Sequence, residues 1–258
     1  MKFKSSILGC RFYIIFLSIV LFLSSNIVGR ENSNSTIINI DENRYKVELI
    51  HHDNFETQTE NWVVEQMPGG EVDLMNGKLD IRDKQGCTVW YKKKLKGPIL
   101  IEYEVTMIDS GAANERSSDL NCFWMAQDPD NPDNLFKNSD KRGGNFPNYH
   151  SLRTYYVGYG GHYNTRTRFR RYKGDGTRPL LPEHDLKKKK YMNIPNQTRK
   201  VQLIANGKHI RYIMDGEKIF SYTDDNPYTS GWFGFRTVKN HMKVEYFKVY
   251  KIINKLTE

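Results

Sequence analysis

The side chains best suited to chemistry fall on alternate positions of short, aromatic-rich segments. Successive side chains of a strand point to opposite faces, so parity sorts them. In the segment 165–172, Phe169 belongs to a core, with Thr165, Thr167 and Arg171 on its side; Arg166, Arg168, Arg170 and Tyr172 then share the other face. In 154–160, Val157 takes Tyr155 and Tyr159 inward and leaves Tyr156 and Gly158 outward, and the same parity continues to His162 and Asn164. In 119–126, Leu120, Cys122 and Trp124 form the apolar set and Asp119 and Asn121 project opposite. In 231–237, Phe233 and Phe235 go inward, Trp232 and Arg236 outward. Four segments thus offer Asn121, Tyr156, His162, Asn164, Arg168, Arg170, Trp232 and Arg236 as one surface.

That set is rich in Arg, Tyr, His and Asn and poor in carboxylates. Eliminative cleavage of a uronic-acid polymer needs these groups. Arg or Asn neutralises the sugar carboxylate and acidifies the adjacent C–H; His or Tyr removes that proton, and Tyr can protonate the departing oxygen. His162 and Tyr156 are the candidate catalytic groups, and Asn121, Asn164, Arg168, Arg170, Trp232 and Arg236 the candidate substrate-binding groups. His150 follows a Gly- and Pro-containing loop, Gly143 to Tyr149, and is a third catalytic candidate, because loops on rigid scaffolds often supply function. His184 reads as surface. The same groups serve a non-catalytic carbohydrate-binding protein equally well. A glycoside hydrolase instead needs two carboxylates at a defined separation. Glu102 with Glu104, or Asp119 with Glu115, are the pairs available to it.

The elements that must position these groups are strands. Runs of five to nine aromatic and β-branched residues, broken by Gly, Pro, Asn and Asp, recur from Gly77 to Tyr250. Asn206-Gly207 and Asp215-Gly216 read as hairpin turns. No dozen-residue stretch carries a helical stripe. About a dozen antiparallel strands must close or stack to bury their faces, which makes the chain all-β, a sandwich or jelly roll.

Residues 1–29 read as a signal peptide: Lys2, Lys4 and Arg11, then an apolar run from Phe12 to Leu23, then small residues ending at Gly29. That run is too short for the ~20 residues that span a bilayer, so no stable membrane span is expected. Residues 30–44 read as a flexible leader and 45–258 as one domain, secreted or periplasmic after cleavage and monomeric. The chain carries a formal +9. Loss of the signal cations leaves about +6, which favours an acidic partner; for an exported protein that partner is an acidic polysaccharide or oligosaccharide and not nucleic acid. Cys87 and Cys122 either pair or sit singly in a core. No metal-binding spacing of Cys and His is present and no cofactor is required. The aspartates of the loop Asp128 to Asn134 leave a structural calcium possible, without a specific motif.

The stretch from Trp62 through Val105, and the ending from His209 to Ile252, resemble the opening and closing strands of concanavalin A-like jelly rolls. The chain, over about Tyr45 to Ile253, is similar to the secreted jelly-roll proteins of bacterial polysaccharide-degradation loci, including the YesU-like group. The resemblance implies a concanavalin A-like jelly-roll β-sandwich whose concave sheet carries a ligand groove, with structural calcium frequent in such folds. The segment Tyr155 to Tyr172 also resembles the Tyr-x-Gly-x-Tyr-Asn strand of jelly-roll alginate-type lyases. Their Arg-x-Glu-x-Arg and Gln-[Ile/Val]-His strands are not found, nor is the Glu-x-Asp-x-x-Glu strand of laminarinase-like glucanases.

Overall fold

The computed structural model describes residues 35–40, 42–56 and 60–256. The predicted signal peptide, 1–29, lies outside the described residues. Seventeen strands follow one another in the described chain: β1 (Ser35–Ile40), β2 (Asn43–Asp53), β3 (Trp62–Gln66), β4 (Glu71–Leu74), β5 (Leu79–Arg82), β6 (Cys87–Tyr91), β7 (Leu95–Lys96), β8 (Ile99–Ile108) and β9 (Leu120–Gln127). After an irregular excursion come β10 (Arg153–Gly160), β11 (Arg166–Lys173), β12 (Asp185–Leu186), β13 (Thr198–Asn206), β14 (His209–Met214), β15 (Glu217–Thr223), β16 (Ser230–Thr237) and β17 (His241–Leu256).

Among the described residues these form two antiparallel sheets. One runs β1-β2-β17-β8-β13-β14-β15, with β4 and β5 attached beside β17. The other runs β12-β11-β10-β9-β16-β6-β3, with β7 on β16. Their inner faces meet in one core. Ile99, Ile101, Tyr103 and Val105 of β8 pack with Leu120, Cys122 and Trp124 of β9, Tyr155, Val157 and Tyr159 of β10, and Phe233 and Phe235 of β16. The inward parity read from the sequence is therefore the parity of the core, and the fold is a jelly-roll sandwich.

Cys87 and Cys122 belong to that core as free, buried thiols, not as a disulfide. Burial pushes the Cys122 thiol up to about 12, so it stays protonated. His184 is a correction: it is buried, with ring contacts to Phe169, Phe220 and Tyr222, and burial holds its pKa below the ordinary range.

The expected leader ends earlier than its composition implied. Ser35–Ile40 pairs along its whole length with β2. This hairpin and the end of β17 bury Ile40, Tyr45, Val47, Tyr250 and Ile252 against Leu100, Ile204 and Ile213 on the outer face of the first sheet. Ile38 and Ile40 give β1 its apolar anchor, and the intervening Asn, Ser and Thr hide it in composition.

The outer face of the second sheet is covered in part. The excursion between β9 and β10 contains two 3-10 turns, Leu135–Asn138 and Phe146–Tyr149, flanking one short helix, α1 (Ser139–Arg142). It buries Leu135, Tyr149 and Leu152 against Trp90, Phe123, Tyr156 and Trp232. Asp128 starts it by accepting hydrogen bonds from the Asp130 backbone N–H and from the amides of Asn131 and Asn138. Asp133 instead pairs with Lys94. Beneath this roof lies an ion pair, Arg142–Glu65, at 2.5 Å, with side chains 3% and 0% exposed. Tyr149 donates its hydroxyl to the same carboxylate at 2.6 Å.

Candidate functional site

The part of that face left open holds a cavity of about 510 Å³, within the range of small-ligand sites. Its floor is three strands in register. Gly158 of β10 pairs with Asn121 of β9 on one side and Arg168 of β11 on the other. Tyr156 pairs likewise with Phe123 and Arg170. Period-2 alternation brings Asn121, Tyr156, Arg168 and Arg170 to one cavity, as the sequence predicts, together with Arg166 and His162.

Gly158 is the low point of the floor. A Cβ built there would lie 3.2 Å from the Tyr156 hydroxyl and 3.5 Å from Asn121 Oδ1, in space that a ligand would otherwise use. Asn121 is 3% exposed and its Oδ1 has no hydrogen-bond partner. A buried amide oxygen left without a donor costs about 1–3 kcal/mol, and a ligand hydroxyl entering the cavity would recover that.

His162 is presented by a strained turn. It lies with Tyr163 and Asn164 in three consecutive left-handed conformations, φ 51°, 60° and 60°, where side-chain-bearing residues are costly and occur mostly singly. Asn164 holds this turn down. Its amide donates to the Asn193 carbonyl at 2.9 Å, and its Oδ1 accepts from the Asn193 N–H at 2.8 Å. Gly160 before the turn has φ 62°, and a Cβ there would strike the Asn193 amide at 2.3 Å. Arg168 Nη1 lies 2.8 Å from His162 Nε2. A guanidinium only donates, so the imidazole accepts at Nε2 in this contact. Arg168 keeps its Nε and Nη2 on Asp185.

Five arginines, 116, 166, 168, 170 and 178, and Lys239 line the cavity, against Asp119 as its one carboxylate. Arg116 pairs with Asp119 and Arg168 with Asp185. Arg170 and Arg178 have no acidic partner among the described ion pairs; Arg170 donates to the Arg178 carbonyl, and Arg178 lies over the Phe146 and Tyr172 rings. Burial, then the charges of Arg178 and Arg168, lower the Arg170 pKa. Crowded cations without counter-charge give the pocket a positive potential. Burial pushes the Tyr156 phenol far up, so it stays protonated.

Four sequence candidates do not line the cavity. Asn164 faces Asn193, as described. Trp232 and Arg236 lie on the expected face of β16 but under the roof. Trp232 donates its indole N–H to the Lys92 carbonyl and packs edge-on to Phe136. Arg236, 1% exposed, donates to the Gly144 carbonyl and Thr88 Oγ1. His150 is wedged edge-on between Phe146 and Tyr172, with Nε2 buried and unpartnered; burial, then Arg178 and Arg170, keep its pKa low. Neither hydrolase pair is assembled in the cavity, which holds Asp119 but not Glu102, Glu104 or Glu115. Glu102 is buried on the first sheet with Gln202, and Tyr246 reaches both Glu102 and Glu104. Glu115 faces His241, while Asp119 faces Arg116. Sequence reasoning missed Arg116, Phe146, Tyr163, Arg178 and Lys239, all from loops, where no period marks a face.

The loop carrying Arg116 and Asp119 is tied down behind the rim by an ion cluster. His241 Nδ1 lies 2.8 Å from Glu115 and Nε2 2.9 Å from Asp80, while Arg82 and Lys243 also pair with Asp80. With a carboxylate at each nitrogen the ring holds both protons. Burial opposes that charge, but the bonds to Asp80 and Glu115 prevail and raise the His241 pKa above 6.5. Burial would push Asp80 up, yet His241, Arg82 and Lys243 bring it down. Hydrogen bonds from Ser110 and His241 hold Glu115 at about 2.

The raised histidine contributes stability that is full below its unfolded pKa, about 6.5, and lost as pH climbs through the folded value. The depressed carboxylates contribute stability that is full above about pH 4.5 and lost on acidification. The melting temperature should therefore peak between about pH 4.5 and 6.5. His241→Gln should flatten the alkaline fall and lessen the acid one without abolishing it, because Ser110 still holds Glu115 down and Arg82 and Lys243 still hold Asp80 down. Parallel alkaline limbs for parent and variant in thermal melts would rule the cluster out as the cause.

The architecture and the cavity define a jelly-roll protein with an arginine-rich pocket on the outer face of one sheet. The chain belongs to the family described as a domain of unknown function, DUF6250, whose family model matches residues 81–247 and so spans every residue lining the pocket. No curated protein matches it in sequence. Among solved structures it is similar to a protein of unknown function with galectin-like fold from Bacillus subtilis, at 17% identity over 83% of this chain and 100% of that one, TM-score 0.64. It is similar also to an endo-β-1,3-glucanase from Pyrococcus furiosus (14% identity, 84% and 98% of the two chains, TM-score 0.52). A third is β-agarase B from Zobellia galactanivorans (10% identity, 83% and 95%, TM-score 0.52). At these identities the likeness is one of fold. Among the described residues no helix is long and apolar enough to cross a membrane.

Proposed function

We propose that this protein acts on an acidic glycan in the arginine-lined pocket, cleaving it by β-elimination at a uronic acid. The observation that carries the reading is the pairing of uncompensated Arg170 and Arg178 with a histidine held at Nε2 by Arg168 and a protonated tyrosine in a cavity whose one carboxylate is already bound to Arg116. Carbohydrate chemistry on this fold is supported by the glucanase and by an inactivated β-agarase B solved with agaro-octaose. A hydrolase would need a second carboxylate in the cavity.

In this mechanism Arg170 and Nη1 of Arg168 take the uronate carboxylate. Drawing Nη1 away frees His162 Nε2, which removes the proton alpha to that carboxylate. The C–H electron pair forms the new C=C bond, the C–O bond to the leaving sugar breaks, and the Tyr156 hydroxyl protonates the departing oxygen. Asn121 holds a ring hydroxyl. Export, as read from residues 1–29, would place the protein with such polymers.

The test is incubation of the protein with polygalacturonate, alginate and chondroitin sulfate, followed by ultraviolet absorbance. A new unsaturated-uronate signal, lost in His162→Ala and reduced in Tyr156→Phe, is expected. Reducing ends without absorbance would point to hydrolysis. Binding without product would leave a carbohydrate-binding protein, for which the same arginines and Asn121 serve as well.

A further inference from the structure

We infer that the pocket receives the end of a glycan chain and not its middle; this rests on the acidic-glycan reading above and narrows it to a substrate class. One row of the second sheet runs in register through Arg168, Gly158, Asn121 and Arg236. The first three line the cavity. The fourth is 1% exposed beneath the Gly144 carbonyl. A chain laid across the strands therefore meets a wall between Asn121 and Arg236.

That wall is not a lid. Its underside is the buried Arg142–Glu65–Tyr149 cluster, with Trp90, Phe123 and Trp232 packed against Leu135 and Leu152. Opening it would strand a buried ion pair in the process. The two ends of the cavity, along the strands, are each bridged by a cation-π contact. At one, the Arg178 guanidinium lies 5.7 Å over the Phe146 ring, joining the loop after β11 to the roof. At the other, Arg116 lies 4.7 Å over the Tyr163 ring, joining the loop before β9 to the turn that presents His162.

A blind pocket accommodates a terminal sugar, which has one glycosidic neighbour, and rejects an internal one, which has two. The unpartnered Asn121 Oδ1 sits at the blind side, where a terminal residue presents a hydroxyl and an internal residue presents its next linkage. Asn121 thereby becomes the specificity-determining contact.

The experiment compares intact polygalacturonate, alginate and chondroitin sulfate with the same polymers cut by mild acid hydrolysis, at equal mass. It measures protein binding in solution with the parent chain. End recognition scales with the number of ends, so cutting to one tenth of the length should raise binding per unit mass about tenfold by mass action. Binding per unit mass that is unchanged or weaker after cutting would overturn end recognition and leave acidic-glycan binding intact. No binding of either form of any of the three would overturn both.

Discussion

Arg170→Met should weaken binding of an acidic oligosaccharide roughly ten- to hundredfold, because a hydrogen bond to a charged group is worth about 1.5–3 kcal/mol. The same substitution should leave the melting temperature nearly unchanged, and this pairing of outcomes gives the prediction its force. An ordinary structural arginine is held by a carboxylate, and its removal strands that carboxylate. Arg170 has Arg178 and Arg168 as charged neighbours instead, and burial, then these charges, lower its pKa. Methionine keeps the aliphatic stem that packs beside Tyr156 and removes a repelled cation. The loss of one bond to the Arg178 carbonyl is offset by relief of that repulsion. Sites that hold unfavourable charge for a ligand show this separation of stability from function. The binding that remains should also depend less steeply on salt, since one screened contact is gone. Calorimetric titration and thermal melts on one preparation read both quantities. A variant that binds as the parent does, or that melts about ten degrees lower, would remove Arg170 from the ligand contacts or make it structural.

Arg168 and Arg170 were legible because β9, β10 and β11 keep strict alternation across the cavity. The register shifts, between Arg153 and Tyr155 and between Trp232 and Gly234, lie beyond the rows that carry Asn121, Tyr156, Arg168 and Arg170. Parity there also placed Trp232 and Arg236 on the correct face of β16. It was silent on what covers that face. The roof buries Leu135, Tyr149 and Leu152 from short 3-10 turns, whose sparse apolar residues follow neither a period of 2 nor one of 3.6. The sequence therefore read as a Gly- and Pro-containing loop what the fold uses as a wall. His162 was placed by extending the strand parity past Gly160, although the chain leaves the strand there for a left-handed turn. It reaches the cavity because Asn164 and Asn193 fix that turn, a tertiary contact across 29 residues that no local pattern encodes.

The roof supplies the second large effect. Glu65→Ala should lower stability by about 3–5 kcal/mol, since it leaves Arg142 charged and 3% exposed with no counter-ion. For a domain of this size that is about 6–20 °C in melting temperature. Tyr149 loses its acceptor in the same stroke. Replacing both charges, Glu65→Leu with Arg142→Met, should recover most of the loss, because apolar side chains of similar volume remove the desolvation cost of both ions together. Neither residue lines the pocket, yet the single variant should also weaken ligand binding. The roof carries Phe146 to the cavity wall and sets the Gly144 carbonyl on Arg236, so loosening it removes the blind side. Tryptophan emission follows the opening, as Trp90 and Trp232 lie directly beneath, and should shift to the red in Glu65→Ala and return in the double variant. A single variant that melts within about 2 °C of the parent, equivalent to less than about 1 kcal/mol, would mean that the pair is not what keeps the wall in place. The end-recognition inference would then lose its rigid boundary.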